Sequence, residues 1–270
     1  MRPLLRLVPA ATALAAWTLA GAACAGAAAA QAATGGSDEE SLAIDSADVR
    51  GRARAEQARF ERRRVRYFPL THASYGGSCD ERVGRFCTWF EEGEWYPRPE
   101  APEITGMREE LLAYLDSVAR LVPGDGWILG QRVWYRTQAG RWDDAALVAR
   151  ACGGVERWWC LALEGFAAHG AGRYVEAERI FADALEAMDP DQADRWRRPR
   201  RAVDGDLRDD LDDLEGEELS ALLDRLWEAG DPLYLVAGND RLTEHYARWV
   251  VVKVRSRARN PFLLSWGRDL

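Results

Sequence analysis

The residues that could carry catalytic chemistry in this sequence are few, and they are not spaced for it. The three histidines are His72, His169 and His245. A zinc metalloprotease needs two histidines one helical turn apart with a glutamate between them, and Glu244-His245 is the nearest approach to that motif. The sequence has no G-x-S-x-G nucleophile elbow and no glycine-rich phosphate loop. We therefore predict no catalytic residue, no metal site and no cofactor.

The acidic residues could form two further kinds of site, and neither has a supporting pattern. Among the 44 aspartates and glutamates a pair of catalytic carboxylates stays open, but no spacing singles one out. A calcium loop starting at Asp204 would need an oxygen ligand fifth and a glycine sixth, where Arg208 and Asp209 stand. Leucines recur through this stretch at helical spacing, so we interpret it as a helix with a solvated acidic face.

Four of the five cysteines form two local pairs. Cys79 and Cys87 are eight residues apart in sequence, and so are Cys152 and Cys160, whereas Cys24 stands alone. An even number of cysteines in an exported protein indicates disulfides, although four cysteines allow three connectivities. Zinc is the alternative, but tight C-x-x-C knuckles are absent. We predict local pairing, with one disulfide in each pair.

The segment from Met1 to Ala32 has the pattern of a secretory signal. Arg2 and Arg6 precede an apolar stretch around Leu7 to Ala23, and Ala30-Gln31-Ala32 fits the A-x-A cleavage pattern. Cleavage before Ala33 would release an exported protein, which we expect in the periplasm or cell envelope. A membrane anchor is the alternative interpretation, but the apolar stretch is alanine-rich and short for a span.

Lipidation of Cys24 is a second alternative for the same segment. Cys24 follows Leu19-Ala-Gly-Ala-Ala23, whereas a lipobox favours an aliphatic residue where Gly21 stands. No later segment is apolar enough to span a bilayer. We therefore expect contact with a membrane only through a lipid anchor.

The charge balance argues against nucleic acid as the partner. The chain has 36 basic and 44 acidic residues, a formal net charge of −8, whereas nucleic-acid binding needs a basic face. Eight arginines lie between Asp45 and Arg66. Such a stretch could attract an anionic lipid or polymer. We favour a solvated helix or a partly disordered linker, because the stretch has too few apolar residues to bury a face.

A short sequence motif occurs twice and indicates a repeat architecture. Ala139-Gly-Arg-Trp-Asp-Asp-Ala145 returns further along the chain as Ala171-Gly-Arg-Tyr-Val-Glu-Ala177. A repeat period of about 34 residues with helical spacing of apolar residues is typical of stacked antiparallel helix pairs. We predict such pairs at about 127–151 and 158–188, preceded by one amphipathic helix and followed by further helices up to about residue 259.

These units resemble the tetratricopeptide repeat. The small and aromatic residues of that pattern stand in the second unit at Gly165, Gly172, Tyr174, Ala177, Phe181 and Ala184, and in the first at Gly140, Trp142 and Ala145. The resemblance covers about residues 127–190 and implies a solenoid whose concave groove holds an extended or helical segment. The groove residues that it implies are Gln131, Tyr135, Glu164 and His169.

A wider set of motifs is similar to a group of exported bacterial proteins of unknown role that carry degenerate tetratricopeptide units. The motifs are Cys79-Asp-Glu-Arg-Val-Gly-Arg-Phe-Cys87, Trp158-Trp159-Cys160, Asp231-Pro-Leu-Tyr234, Gly238-Asn-Asp-Arg241 and Thr243-Glu-His-Tyr246. Some members end in a domain named for a Gly-Trp-x-Thr-Asp motif, which corresponds here only to Trp266-Gly-Arg-Asp269. This resemblance supplies no catalytic residue.

The predicted fold class is all-α, with stacked antiparallel helix pairs (a TPR-like solenoid) and an irregular, disulfide-held N-terminal segment. The predicted parts are a signal peptide (1–32), a charged tether or helix (33–66), an irregular cysteine- and aromatic-rich segment (67–104), TPR-like repeats (105–195) and a C-terminal helical region (196–270). We predict a non-enzymatic cell-envelope protein that binds a peptide or protein partner. The alternative is an envelope hydrolase or carbohydrate-binding protein with a site between the aromatic segment and the repeats, where tryptophans could stack on sugars.

Overall fold

Helices make up nearly all of the chain that the computed structural model describes, namely residues 46–67, 100–200, 202–231 and 236–259, with the backbone of 81–83 and 86–88. The fold is therefore all-α, as predicted. The α-helices are α1 (Ser46–Arg64), α2 (Pro102–Leu121), α3 (Gly126–Gln138), α4 (Trp142–Arg150), α5 (Arg157–Gly170), α6 (Tyr174–Glu186), α7 (Pro190–Arg197), α8 (Gly205–Asp213), α9 (Gly216–Gly230) and α10 (Asp240–Arg255). None of these helices is both long and apolar enough to cross a bilayer.

A short antiparallel strand pair lies within the segment that was predicted to be irregular. It joins β1 (Glu81–Val83) to β2 (Phe86–Thr88), with Arg82 opposite Cys87. Cys79 and the side chain of Cys87 lie outside the described residues, and so does the prediction that they form a disulfide. The predicted signal peptide and the lipidation of Cys24 fall outside them as well.

Two consecutive helix pairs, α3–α4 and α5–α6, end their first helix with the same turn. Gly140 and Gly172 have φ angles of 71° and 74°, in the left-handed region that glycine adopts most easily. In each turn the next residue donates its N–H to the carbonyl five residues back, from Arg141 to Arg136 and from Arg173 to Ala168, both at 3.0 Å. The repeated sequence motif thus forms the same turn at the ends of α3 and α5.

The helices of these pairs pack closely, since α4 lies against α3 and α5, and α5 lies against α6. Gly165 allows the close approach of α5 to α6, because a Cβ at this position would lie 3.0 Å from the ring of Phe181. The shared core includes Val133, Ala149, Leu163, Ile180 and Phe181.

A disulfide between Cys152 and Cys160 joins the end of α4 to α5, with a Cα–Cα distance of 6.2 Å. This is the local pairing that the spacing of the cysteines predicts. Closing so short a loop restricts the unfolded chain and contributes on the order of 2–3 kcal/mol to stability. It also fixes how α5 follows α4, and hence how the second helix pair meets the first.

The arginine-rich stretch, predicted to be a solvated helix or a linker, forms helix α1, which buries one face against α2. Val49, Ala53 and Phe60 are at most 4% exposed. The ring of Phe60 meets that of Tyr135 in α3 edge-on, with centroids 5.2 Å apart. The prediction of a solvated helix or linker was wrong because the buried face also includes Gln57 and Glu61, which enter the core with hydrogen bonds to Tyr135.

Candidate binding face of α3 and α5

The C-terminal helix α10 lies across α3, α5 and α6. Asn239 caps its start by accepting the N–H of Leu242 at 2.8 Å. Its buried face consists of Thr243, Tyr246, Ala247, Val250 and Val254, which recur at helical spacing. The groove face that the repeat pattern predicts for a partner is therefore covered by a helix of the same chain.

Two hydrogen bonds hold α10 on this face, one near each of its ends. Near the start, Nδ1 of His169 in α5 lies 2.9 Å from Oγ1 of Thr243. Near the end, Nε2 of Gln131 in α3 donates to the backbone carbonyl of Val254 at 2.9 Å. Between them, the ring of Tyr246 packs against Phe181 with centroids 5.3 Å apart. The contact therefore has an apolar centre and a hydrogen bond near either end.

The four predicted groove residues do not form one accessible surface that a partner could contact. Gln131 is 1% exposed and Tyr135 is 0% exposed, so neither side chain can contact a partner while α10 and α1 are in place. Glu164 faces the other way and pairs with Arg150 of α4 at 2.6 Å. Of the four, only His169 and Gln131 contact α10, near its opposite ends. The prediction assumed an uncovered groove, whereas the helix that covers it comes from the far C-terminal part of the described chain.

Tyr135 belongs instead to a buried polar cluster that joins α1 to α3. Its hydroxyl donates to Oε1 of Glu61 at 2.6 Å and accepts from Nε2 of Gln57 at 2.9 Å. The amide of Gln57 also bonds both backbone groups of Arg259 beyond α10, at 2.7 and 3.0 Å. Sequence reasoning missed this cluster because the arginine-rich stretch was expected to be a solvated helix or a linker that buries no face. The spacing of Val49, Ala53 and Phe60 on one helical face was the signal that could have revealed it.

The electrostatics of this cluster are those of a buried carboxyl rather than of an exposed reactive group. Burial raises the pKa of Glu61, against the hydrogen bond from Tyr135 and the charge of Arg64. Burial and the neighbouring Glu61 raise the pKa of Tyr135 well above its usual value. The cavity beside them is about 20 Å³, which is room for a single water molecule. The arrangement stabilises helix packing and has no space for an organic substrate.

The two described histidines are held in structural roles. Burial lowers the pKa of His169, against the carboxylates of Glu244 and Asp240. Burial also lowers the pKa of His245, whose Nε2 lies 2.6 Å from the carbonyl of Trp196. Both rings are therefore neutral at pH 7. Among the residues that the structure describes, no group of histidines, cysteines or acids is placed to hold a metal ion.

The eight tryptophans of the described ranges are packed rather than arrayed on the surface. Trp158, Trp159 and Trp196 are buried, and the other five pack against the cores in part-buried positions: Trp127, Trp134, Trp142, Trp227 and Trp249. The predicted carbohydrate or hydrolase site also involves Trp89 and Trp95, which lie outside the described residues. That alternative stays a prediction.

Comparison of this chain with protein-family models, with curated proteins and with solved structures found no match.

Proposed function

We propose that this protein is a non-enzymatic component of the cell envelope that binds a helical segment of a protein or peptide partner. The binding face is the surface of α3 and α5 on which α10 lies, within a TPR-like solenoid of antiparallel helix pairs. The observation that supports the proposal is that this surface already holds an amphipathic helix. Helix-in-groove recognition uses the same elements, an apolar face with a few fixed polar contacts.

The hydrogen bond from Gln131 to the end of α10 does not depend on the sequence of the helix that accepts it, because the acceptor is a backbone carbonyl. Val254 lies in the last turn of α10, where backbone carbonyls have no partner within the helix. Gln131 donates to that carbonyl, and it can do the same for the last turn of another helix. A partner helix that replaces α10 can therefore accept the same N–H of Gln131.

On this proposal α10 and the partner compete for one face. The apparent affinity for the partner is the intrinsic affinity multiplied by the fraction of molecules in which α10 is off this face. Weakening the seat of α10 therefore raises partner binding. Truncating one buried apolar side chain of α10 weakens its contact with this face by about 1 kcal/mol or more, so it raises the apparent affinity for the partner roughly fivefold.

The test is photocrosslinking in the native envelope with the full chain. A benzophenone amino acid replaces His169, which contacts α10, or Arg179 on α6, whose side chain is 67% exposed. We expect intermolecular adducts from position 169 only, and more of them when Val250→Ala is added, because this substitution weakens the contact of α10 and leaves the face of α3 and α5 unchanged. Adducts at equal yield from both positions, or a yield from position 169 that Val250→Ala leaves unchanged, would count against the proposal.

A further inference from the structure

Two basic side chains near the end of α10 lie over indole rings of the helices beneath it. Nζ of Lys253 lies 4.7 Å from the ring centroid of Trp158 and 5.2 Å from that of Trp159, both on α5. The guanidinium carbon of Arg255 lies 5.4 Å from the ring centroid of Trp134 on α3. A cation within about 6 Å of an indole centroid is attracted by the negative face of the ring. The face of α3 and α5 therefore contacts the last turn of α10 through cation–π interactions as well as through apolar packing.

The three rings are held by contacts that α10 does not supply. Nε1 of Trp158 donates to Oε2 of Glu156 at 3.0 Å, and Nε1 of Trp159 donates to the carbonyl of Gly126 at 2.9 Å. The ring on α3 stacks on that of Phe166, with centroids 6.2 Å apart. Because each indole N–H on α5 already has an acceptor, these two rings turn their faces, not their polar edges, to the basic group above them. Another helix on this face would meet the same rings.

The neighbours of α10 also set the direction in which a helix lies there. At the start of α10, the backbone N–H of Asn239 donates to a carboxylate oxygen of Glu178 in α6. At its end, Gln131 donates to the carbonyl of Val254. A helix has unbonded N–H groups in its first turn and unbonded carbonyls in its last, and its macrodipole favours cations near the last turn. A helix in the opposite direction would place its carbonyls against the carboxylate of Glu178, so the last turn of a partner belongs over the tryptophans.

We propose that this face selects partner helices with basic residues in the last turn, at two positions separated by one residue, as Lys253 and Arg255 are. The inference rests on the proposed function, since it names the chemistry of the partner for the same face. A basic residue at either position gains attraction to an indole face and to the helix dipole. An acidic residue would meet the negative faces of the rings and the carboxylate of Glu156, which is bonded to Trp158. The partner is thus an amphipathic helix whose C-terminal end is cationic.

The test compares fluorophore-labelled peptides with the sequence of residues 239–256. Their binding to the full chain that carries Val250→Ala, in which the contact of α10 is weakened, is measured by fluorescence anisotropy. Each cation–π contact strengthens binding about two- to fivefold. The peptide with Lys253→Gln/Arg255→Gln should therefore bind about tenfold more weakly than the unsubstituted peptide. The peptide with Lys253→Arg keeps the cation and should bind within about twofold of the unsubstituted peptide.

The control peptide carries Arg241→Gln/Arg248→Gln and loses the same charge from the outer side of the helix, where both arginines pair with Glu244. It should bind within about twofold of the unsubstituted peptide. Circular dichroism measures the helicity of the free peptides, for which the affinities are corrected. Equal losses in the two doubly substituted peptides, or equal binding by all the peptides, would overturn this inference and leave the proposed function standing. Binding by none of them would overturn the proposed function as well, because α10 would then hold the face against other helices.

Discussion

At the scale of single residues, the group with the largest structural consequence is the hydroxyl of Tyr135. It connects α3 to Glu61 and Gln57 of α1, and Gln57 connects onward to the backbone after α10. Two helices and the segment after α10, all distant in sequence, thus share one chain of hydrogen bonds. Such a cluster stabilises only if every member is bonded, and its carboxyl is the member that burial penalises most.

The first prediction is that Glu61→Gln stabilises the protein at neutral pH. Glutamine still accepts the hydrogen bond from Tyr135 but carries no charge to bury, so we expect a gain of about 1–2 kcal/mol at pH 8. The raised pKa of Glu61 means that its contribution to stability is fully present below about pH 4.5 and is lost as pH rises through the folded pKa. Urea unfolding from pH 4 to 8 should therefore show a smaller decline in the variant.

Tyr135→Phe is the matched comparison, because it keeps the ring and removes only the hydroxyl. It leaves Glu61 and Gln57 each short of a buried partner and should destabilise by about 1–3 kcal/mol. If Glu61→Gln were instead destabilising at pH 8, the attraction of Arg64 and Arg255 for the carboxylate would outweigh the cost of burying it.

At the scale of elements, the crossing of α5 and α6 depends on the absence of a side chain at Gly165. The second prediction is that Gly165→Ala destabilises by about 1–3 kcal/mol, because the added methyl meets the ring of Phe181 at 3.0–3.1 Å. Gly51→Ala in α1 is the control, since its added methyl meets nothing within 4 Å. It should stabilise by about 0.5–1 kcal/mol through helix propensity. Thermal unfolding of both variants is the measurement, and effects of the same sign would refute the interpretation.

Local signals predicted most elements but mistook some of their boundaries. The second helix pair was predicted to end at about residue 188, and Asp189 directly after it caps a further helix, α7, by accepting the N–H of Asp191 at 3.1 Å. Proline suits both positions, because it cannot continue one helix and is favoured in the first turn of the next. The cap of α10 is Asn239 rather than Asp240, as either residue type can accept the capping hydrogen bond.

At the scale of the whole molecule, the sequence predicted the helical class, the two helix pairs and one disulfide, but not what covers the face of α3 and α5. Turns, caps and cysteine spacing act over a few residues and can be seen in one segment. The contact of Thr243 with His169 joins residues 74 apart, and no local pattern of α10 identifies its neighbours. That α10 covers this face could therefore not be predicted from the same signals.

The third prediction is that α8 and α9 unfold locally more often than α5 does. Helices α8 and α9 share a small core of Leu211, Leu219 and Leu223, apart from the large core of α3–α6 and α10. Because little apolar surface holds them, their backbone amides should exchange with solvent at least about tenfold faster than those of α5. Hydrogen exchange followed by mass spectrometry measures this. Equal protection of α5 and α9 would show a single cooperative unit.

The bonds between Gln57 and Arg259 have a consequence for how the protein is made. They join residues 202 apart, and a ribosome synthesises the chain from the N-terminus. Until Arg259 has emerged, the amide of Gln57 lacks two of its three hydrogen bonds, and until α10 has emerged the face of α3 and α5 stays uncovered. Every newly made chain therefore passes through an interval in which this face is open, and the time that the rest of the chain takes to emerge sets how long that interval lasts.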